Sequence, residues 1–226
     1  MSALPECVEV ATGSAPGAAV IWLHGLGADG YDFVPVVKEL EVNSLPGSPG
    51  GVRFIFPHAP MRPVTINGGM VMRAWYDIRQ TDLGRQEDEA GLRESQAVAQ
   101  DLIEREVGRG IARKRIVLAG FSQGGAITLQ AGLRQAEPLA GLMVLSSYLP
   151  LAAKLAAEAT AAGRSQPVFM AHGREDAVVV IARAQQSRDA LVAQGVSVEW
   201  HDYAMEHSVC LDELREIRAW LERVLT

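Results

Sequence analysis

Two cysteines, Cys7 and Cys210, are all that the 226 residues carry. That is too few for a disulfide framework, so a reducing compartment is expected. No run of 18 apolar residues occurs, and no membrane-spanning helix is expected. The first ten residues hold Pro5, Glu6 and Glu9 but no Lys or Arg. They lack the basic start and apolar core of a signal peptide, which points to a cytoplasmic protein. Basic residues are also in deficit: 21 Lys and Arg face 27 Asp and Glu, a net charge of −6. That balance disfavours nucleic acid and anionic membranes as main partners. Histidines and cysteines are scattered without zinc-ligand spacing, so no tetrahedral zinc set is expected, and the serine chemistry read below requires no cofactor. Internal repeats and low-complexity segments are missing as well. What remains is globular composition, 48% hydrophobic and 21% charged, in a length that suits one α/β domain over residues 1–226.

Short apolar runs at 18–23, 52–56, 115–119, 141–145, 167–171 and 196–203 read as strands, with a weaker one at 7–11. Most are continuous rather than alternating, as strands covered on both faces should be. Helical patterns fall between them at 87–107, 123–135, 181–193 and 209–225. The last places Leu214, Ile217, Leu221 and Val224 on one stripe, with Ser208 as its expected N-cap. The alanine-rich stretch 152–162 reads as one short helix, and 45–51 as a loop. Strand and helix alternate, which predicts a mostly parallel central sheet with helices on both faces. Residues 57–80 form the longest stretch without clear periodicity, and long loops inside compact domains are usually functional.

The strand at 115–119 runs into G-F-S-Q-G-G, residues 120–125, and then into a helix. A plain Gly-rich turn with a serine N-cap would use the same letters. The strand before and the helix after make this G-x-S-x-G a nucleophile elbow, in which Gly is needed where a side chain would collide with the turn. The reversal lifts the Ser122 hydroxyl above the sheet. It also aims the next backbone N–H, that of Gln123, at charge developing on a substrate oxygen.

A serine hydroxyl needs a base, and after such an elbow the chain order is Ser, then Asp or Glu, then His. Three histidines follow Ser122. His172 ends a strand after which the acid is expected, and His201 lies within a strand pattern. His207 sits in the loop before the last helix, so His207 is the predicted base. The segment H-G-R-E-D-A-V-V-V offers Glu175 and Asp176 as the acid, and Asp176 is preferred because an apolar run follows it. Its task is to hold the imidazole tautomer and stabilise imidazolium. The loop after the first strong strand, H-G-L-G-A-D-G at 24–30, is the expected source of a second oxyanion donor.

Together H-G-L-G-A-D-G-Y-D-F, the Gly69, Met72, Trp75, Tyr76 and Asp77 pattern, G-F-S-Q-G-G, H-G-x-x-D-x-V-V and M-x-H-S span residues 22–210. In that order they resemble the carboxylesterase/acyl-protein thioesterase (lysophospholipase-like) family of α/β-hydrolases. The resemblance implies an α/β-hydrolase without a large cap. It implies Ser122, Asp176 and His207 as a triad, the Leu26 and Gln123 amides as oxyanion hole, and Trp75 near the substrate pocket. Two positions depart from the family pattern: Val180 where proline is usual, and Glu206 where glycine is usual.

Met61, Met70 and Met72 fall in the non-periodic stretch, where soft side chains suit an acyl chain of variable length. The sequence therefore predicts a serine carboxylesterase that acts on esters or thioesters of short to medium acyl chains through an acyl-enzyme. An acyl-protein thioesterase or lysophospholipase role is the alternative. A non-catalytic acyl- or lipid-binding protein is the rival of another class, and it should have lost a triad member. The expected partner is a small or lipid-like acyl substrate. An acylated protein and a homodimer are also compatible with the sequence.

Overall fold

The computed structural model describes residues 4–42, 50–80 and 87–225. Of the loop expected at 45–51, residues 45–49 lie outside them. The centre is a seven-stranded sheet. Its strands are β1 (Cys7–Ala11), β2 (Ala18–Leu23), β3 (Val52–Pro57), β6 (Ile116–Phe121), β7 (Gly141–Leu145), β8 (Val168–Gly173) and β9 (Val198–Tyr203). They lie side by side in the order β1-β3-β2-β6-β7-β8-β9. Only β1 runs antiparallel, pairing Cys7 with Pro57 at the edge. The continuous apolar runs are explained by their setting. In β2 all six residues are buried, since β3 and β6 flank it and helices cover both faces.

On one face lie α2 (Glu89–Gly108), α3 (Gln123–Gly132) and α6 (Ile181–Ala193), whose Leu102, Ile127 and Leu191 share a core with Ile21 and Leu118. On the other, α1 (Val34–Glu39) and α7 (Leu211–Val224) bury Val37, Leu214, Ile217 and Trp220 against Val20, Phe54 and Phe169. The expected stripe on α7 is the one that faces the sheet.

Three local readings are corrected. The N-cap of α7 is Cys210, without a side-chain cap bond, not Ser208. The stretch 152–162 is not one helix: α4 (Leu155–Glu158) breaks at Ala159, and α5 (Ala161–Ser165) restarts under a Thr160 cap on the Gly163 N–H. There Gly163 comes so close that a Cβ would stand 2.1 Å from the Leu133 carbonyl oxygen, which fixes where the second helix begins. Within 57–80, β4 (Met61–Val64) and β5 (Met70–Arg73) form an antiparallel hairpin. Its period is hidden because the hairpin buries only Val64 fully, while Met61, Met70 and Val71 are exposed, so no whole face needed to be apolar.

Glu213, in the first turn of α7, is fully buried, and neither carboxylate oxygen has a hydrogen-bond partner. Burial pushes its carboxyl up to about 8, with the Cys210 backbone pulling the other way. The unfolded chain ionises this group near 4.5, so between about pH 4.5 and about pH 8 it holds fewer protons than the fold does. Stability therefore falls with rising pH across that window, by on the order of 1.4 kcal/mol per pH unit. Glu213→Gln should remove this slope, and the two proteins should diverge in denaturant titrations as the pH rises. Parallel stability curves would contradict a buried, protonated Glu213.

Candidate active site

β2, β6, β8 and β9 all end at one edge of the sheet, and each passes its next residues into a loop there. This is where open parallel sheets place their ligands. After β6 the chain reverses at Ser122 with φ 53 and ψ −118. That is left-handed backbone, costly for a residue with a side chain. The glycines show what holds the turn. A Cβ on Gly120 would meet the Gly124 carbonyl at 2.3 Å, and one on Gly124 would meet the Leu23 carbonyl oxygen at 2.2 Å. Ser122 N–H donates to the Leu145 carbonyl (2.8 Å), and Ser147 Oγ donates to the Ser122 carbonyl (2.6 Å). Neighbouring strands thus clamp the reversal. The helix that follows, α3, is buried along its whole length, and its N-terminus opens at the serine. Ser122 is half-buried; Oγ is left facing the cleft.

The structure brings His207 and Asp176 together. His207 Nδ1 and Asp176 Oδ2 are 2.6 Å apart. Asp176 Oδ1 accepts the N–H groups of Val178 and Val179, each at 2.8 Å. With Oδ1 occupied by these donors, Oδ2 is left to accept the His207 Nδ1 proton, a tautomer whose Nε2 lone pair is free. The Phe121 ring, beside Ser122, lies 4.8 Å from the His207 ring. No Ser122–His207 hydrogen bond is formed among the described residues, a looseness common before substrate binds. Glu175 is exposed. His201 pairs with Glu199 at 3.1 Å and stacks on Phe169, away from Ser122. His172 Nε2 donates to the Val179 carbonyl (2.7 Å), with Asp176 Oδ2 at 3.4 Å. Burial pushes its pKa down. Val180, at φ −57, is the N-cap of α6, a backbone that proline would also fit. Glu206 is exposed and touches His207 through no side-chain bond in the structure.

The two expected oxyanion donors lie at the same edge. Gln123 N–H is the first of α3, with no carbonyl before it in the helix. Gly27 N–H and Ala28 N–H are bonded to the Arg73 and Gly25 carbonyls, whereas Leu26 N–H makes no turn bond among the described residues. Nothing in the spacing of the residues shows how these two loops are joined. Gln123 Oε1 accepts Trp75 N–H (2.8 Å), and Gln123 Nε2 donates to the Tyr76 carbonyl (2.7 Å). Trp75 Nε1 then donates to the His24 carbonyl (2.9 Å). His24 itself accepts Ala59 N–H on Nε2 (3.0 Å) and so donates from Nδ1 to the Gly25 carbonyl (2.7 Å). Burial pushes the His24 pKa down, in keeping with a neutral ring.

Ser122 opens into a cavity of about 570 Å³. Its apolar wall comes from Ile66, Ile78 and Val178–Val180, and its polar wall from Asn67, Tyr76, Tyr148, Arg183 and Gln186. This corrects the substrate-groove reading. Met61 and Met70 point to solvent from the hairpin. Met72 takes Asn67 Nδ2 on its sulfur. Trp75 is 0% exposed and is held between the Gln123 side chain and the His24 carbonyl rather than at the mouth. None of the four lines the cavity among the described residues. No group of three His, Cys, Asp or Glu side chains among them is placed to hold a metal.

Comparison with known proteins bears on this geometry. The phospholipase/carboxylesterase family model matches residues 5–225. Acyl-protein thioesterase 1 of Neurospora crassa is 43% identical over 212 residues, 90% of this chain and 85% of that protein. Acyl-protein thioesterase 1 of Mycosarcoma maydis is 41% identical over 228 residues, covering 95% and 94%. Among solved structures, Arabidopsis thaliana SOBER1 superposes with a TM-score of 0.86 at 30% identity, over 92% of this chain and 99% of that one.

Trp75→Phe separates a brace from a groove wall. Loss of the indole N–H leaves the buried His24 carbonyl unpaired, at a cost of about 1–3 kcal/mol in unfolding titrations. Hydrolysis of acetate and of longer esters should fall by a common factor. A deficit that grows with acyl length would return Trp75 to the substrate site.

Proposed function

The chain belongs to the phospholipase/carboxylesterase family and is an α/β-hydrolase with esterase or thioesterase activity; on that footing we propose that it is a serine carboxylesterase for short to medium acyl chains. The observation that carries the reading is the His207–Asp176 pair at 2.6 Å at the same sheet edge as the strained reversal of Ser122. Ser122 Oγ attacks the carbonyl of an ester or thioester. His207 Nε2 takes its proton and passes it to the leaving alcohol or thiol. Asp176 keeps Nδ1 protonated and stabilises the imidazolium. The negative charge on the carbonyl oxygen is met by the Leu26 and Gln123 N–H groups. Water then attacks the acyl-enzyme with His207 again as base, returning Ser122 and releasing the acid.

The cavity sets the acyl group. Its apolar wall rewards methylenes at up to about 0.8 kcal/mol each, and its polar wall ends that gain. The relatives named acyl-protein thioesterase 1 support a second reading: the same site would release a protein thiol as its leaving group. Among the described residues no helix is long and apolar enough to cross a membrane.

Ser122→Ala should keep the fold and lose roughly 10⁴-fold or more in kcat. A fluorophosphonate should add once to the wild type, at Ser122 by peptide mass analysis. His207→Ala should be as inactive as Ser122→Ala, whereas His201→Ala should stay active. Labelling at another serine, or an inactive His201→Ala, would refute the assignment.

A further inference from the structure

The cavity beside Ser122 carries a cation that the chemistry above does not use. Arg183, in the first turn of α6, lines it, and its guanidinium carbon stands 4.4 Å above the Tyr148 ring. Its Nε is buried and makes no hydrogen bond, and no carboxylate lies within salt-bridge distance among the described residues. Glu87 is near enough to feel it, but the Glu87 Oε1 is committed to the Leu151 N–H at 2.9 Å. The Tyr148 hydroxyl is spent on Tyr76, at 2.8 Å. Burying part of a guanidinium with a donor left idle is costly unless a ligand completes it. The planar fork of donors on Arg suits a carboxylate.

The placement says which part of the substrate would carry that carboxylate. His207 must protonate the leaving group, and His207 is not among the cavity walls. The cavity therefore takes the acyl side. The cavity that Ser122 and Arg183 share is also walled by Ile78 and Val179, which suit methylenes. We propose that the preferred acyl group ends in a carboxylate bound by Arg183, so that half-esters or half-thioesters of dicarboxylic acids are substrates. The inference rests on Ser122 as nucleophile. Hydrolysis adds water across the acyl bond and yields the diacid and the free alcohol or thiol.

The test compares mono-p-nitrophenyl adipate and suberate with p-nitrophenyl hexanoate and octanoate, at matched chain length. In the wild type kcat/KM for the half-esters should equal or exceed that for the neutral esters, despite the net charge of −6. Arg183→Met should lower the ratio of half-ester to neutral ester at least tenfold, chiefly through KM, and Arg183→Lys should restore part of it. A wild-type ratio below one tenth overturns the proposal, whatever the variants do. So does a ratio that Arg183→Met leaves within twofold, or a preference for an anionic leaving group instead. Ser122→Ala serves as the separate control: if it still hydrolyses neutral esters, the nucleophile is misassigned, and the Arg183 ratio is judged on its own.

Discussion

At Ser122 the backbone turns back on itself with φ 53, and no side chain can make such a turn cheap. The surrounding atoms hold it. Gly120 and Gly124 let the strand, the turn and the helix approach within the space of a missing methyl group. The Leu145 carbonyl and Ser147 hydroxyl fix the reversal from the neighbouring strand. Everything that makes the site a site follows from it: the height of Oγ above the sheet, the direction of the Gln123 N–H, and the axis of α3. Strain at this one residue is offset by a core of large buried side chains on both faces of the sheet.

The second organising element is polar. Gln123 presents its main-chain N–H beside Ser122 and ties its side chain to Trp75, whose indole in turn reaches the His24 carbonyl. Each group in that chain is buried and has its partner, so the network resists displacement more than its separate bonds suggest. Two loops that are a hundred residues apart in sequence are thereby held in one geometry without a metal-like anchor.

What could be read from the letters depended on whether a constraint was local. Strands covered on both faces announce themselves as apolar runs, and β2 and β7 match their expected bounds. The elbow is legible because its glycines and serine are adjacent. His207 was separable from His201 because a strand pattern and a loop differ in period. The hairpin at Met61–Arg73 was not legible: a ribbon that buries a single residue, Val64, leaves no alternation to read. The methionines were misplaced for the same reason, since composition gives no direction to a side chain. The cavity wall, Ile66, Ile78, Tyr148 and Arg183, is assembled from three distant segments, and nothing in the spacing of those residues joins them. Glu213 is buried only because α7 packs on the sheet, and its neighbours in sequence do not show that.

The hairpin is fastened at its base and along one flank, where Thr65 N–H and Oγ1 donate to the Asp77 carboxylate and Ile66 N–H to the Ile78 carbonyl. Gly27 N–H reaches the Arg73 carbonyl, and Ala74 N–H reaches that of Pro60. At its tip, Gly68 and Gly69 have open space around them, while Ile66 and Asn67 a step away form part of the cavity wall. Such an arrangement makes the molecule evolvable in one direction. Residues added at the tip would cost the core nothing, since the core does not touch it, yet they would overhang the place where substrates enter. Duplicated copies of this scaffold can therefore diverge in what they accept by lengthening a single ribbon, with the machinery beneath inherited unchanged.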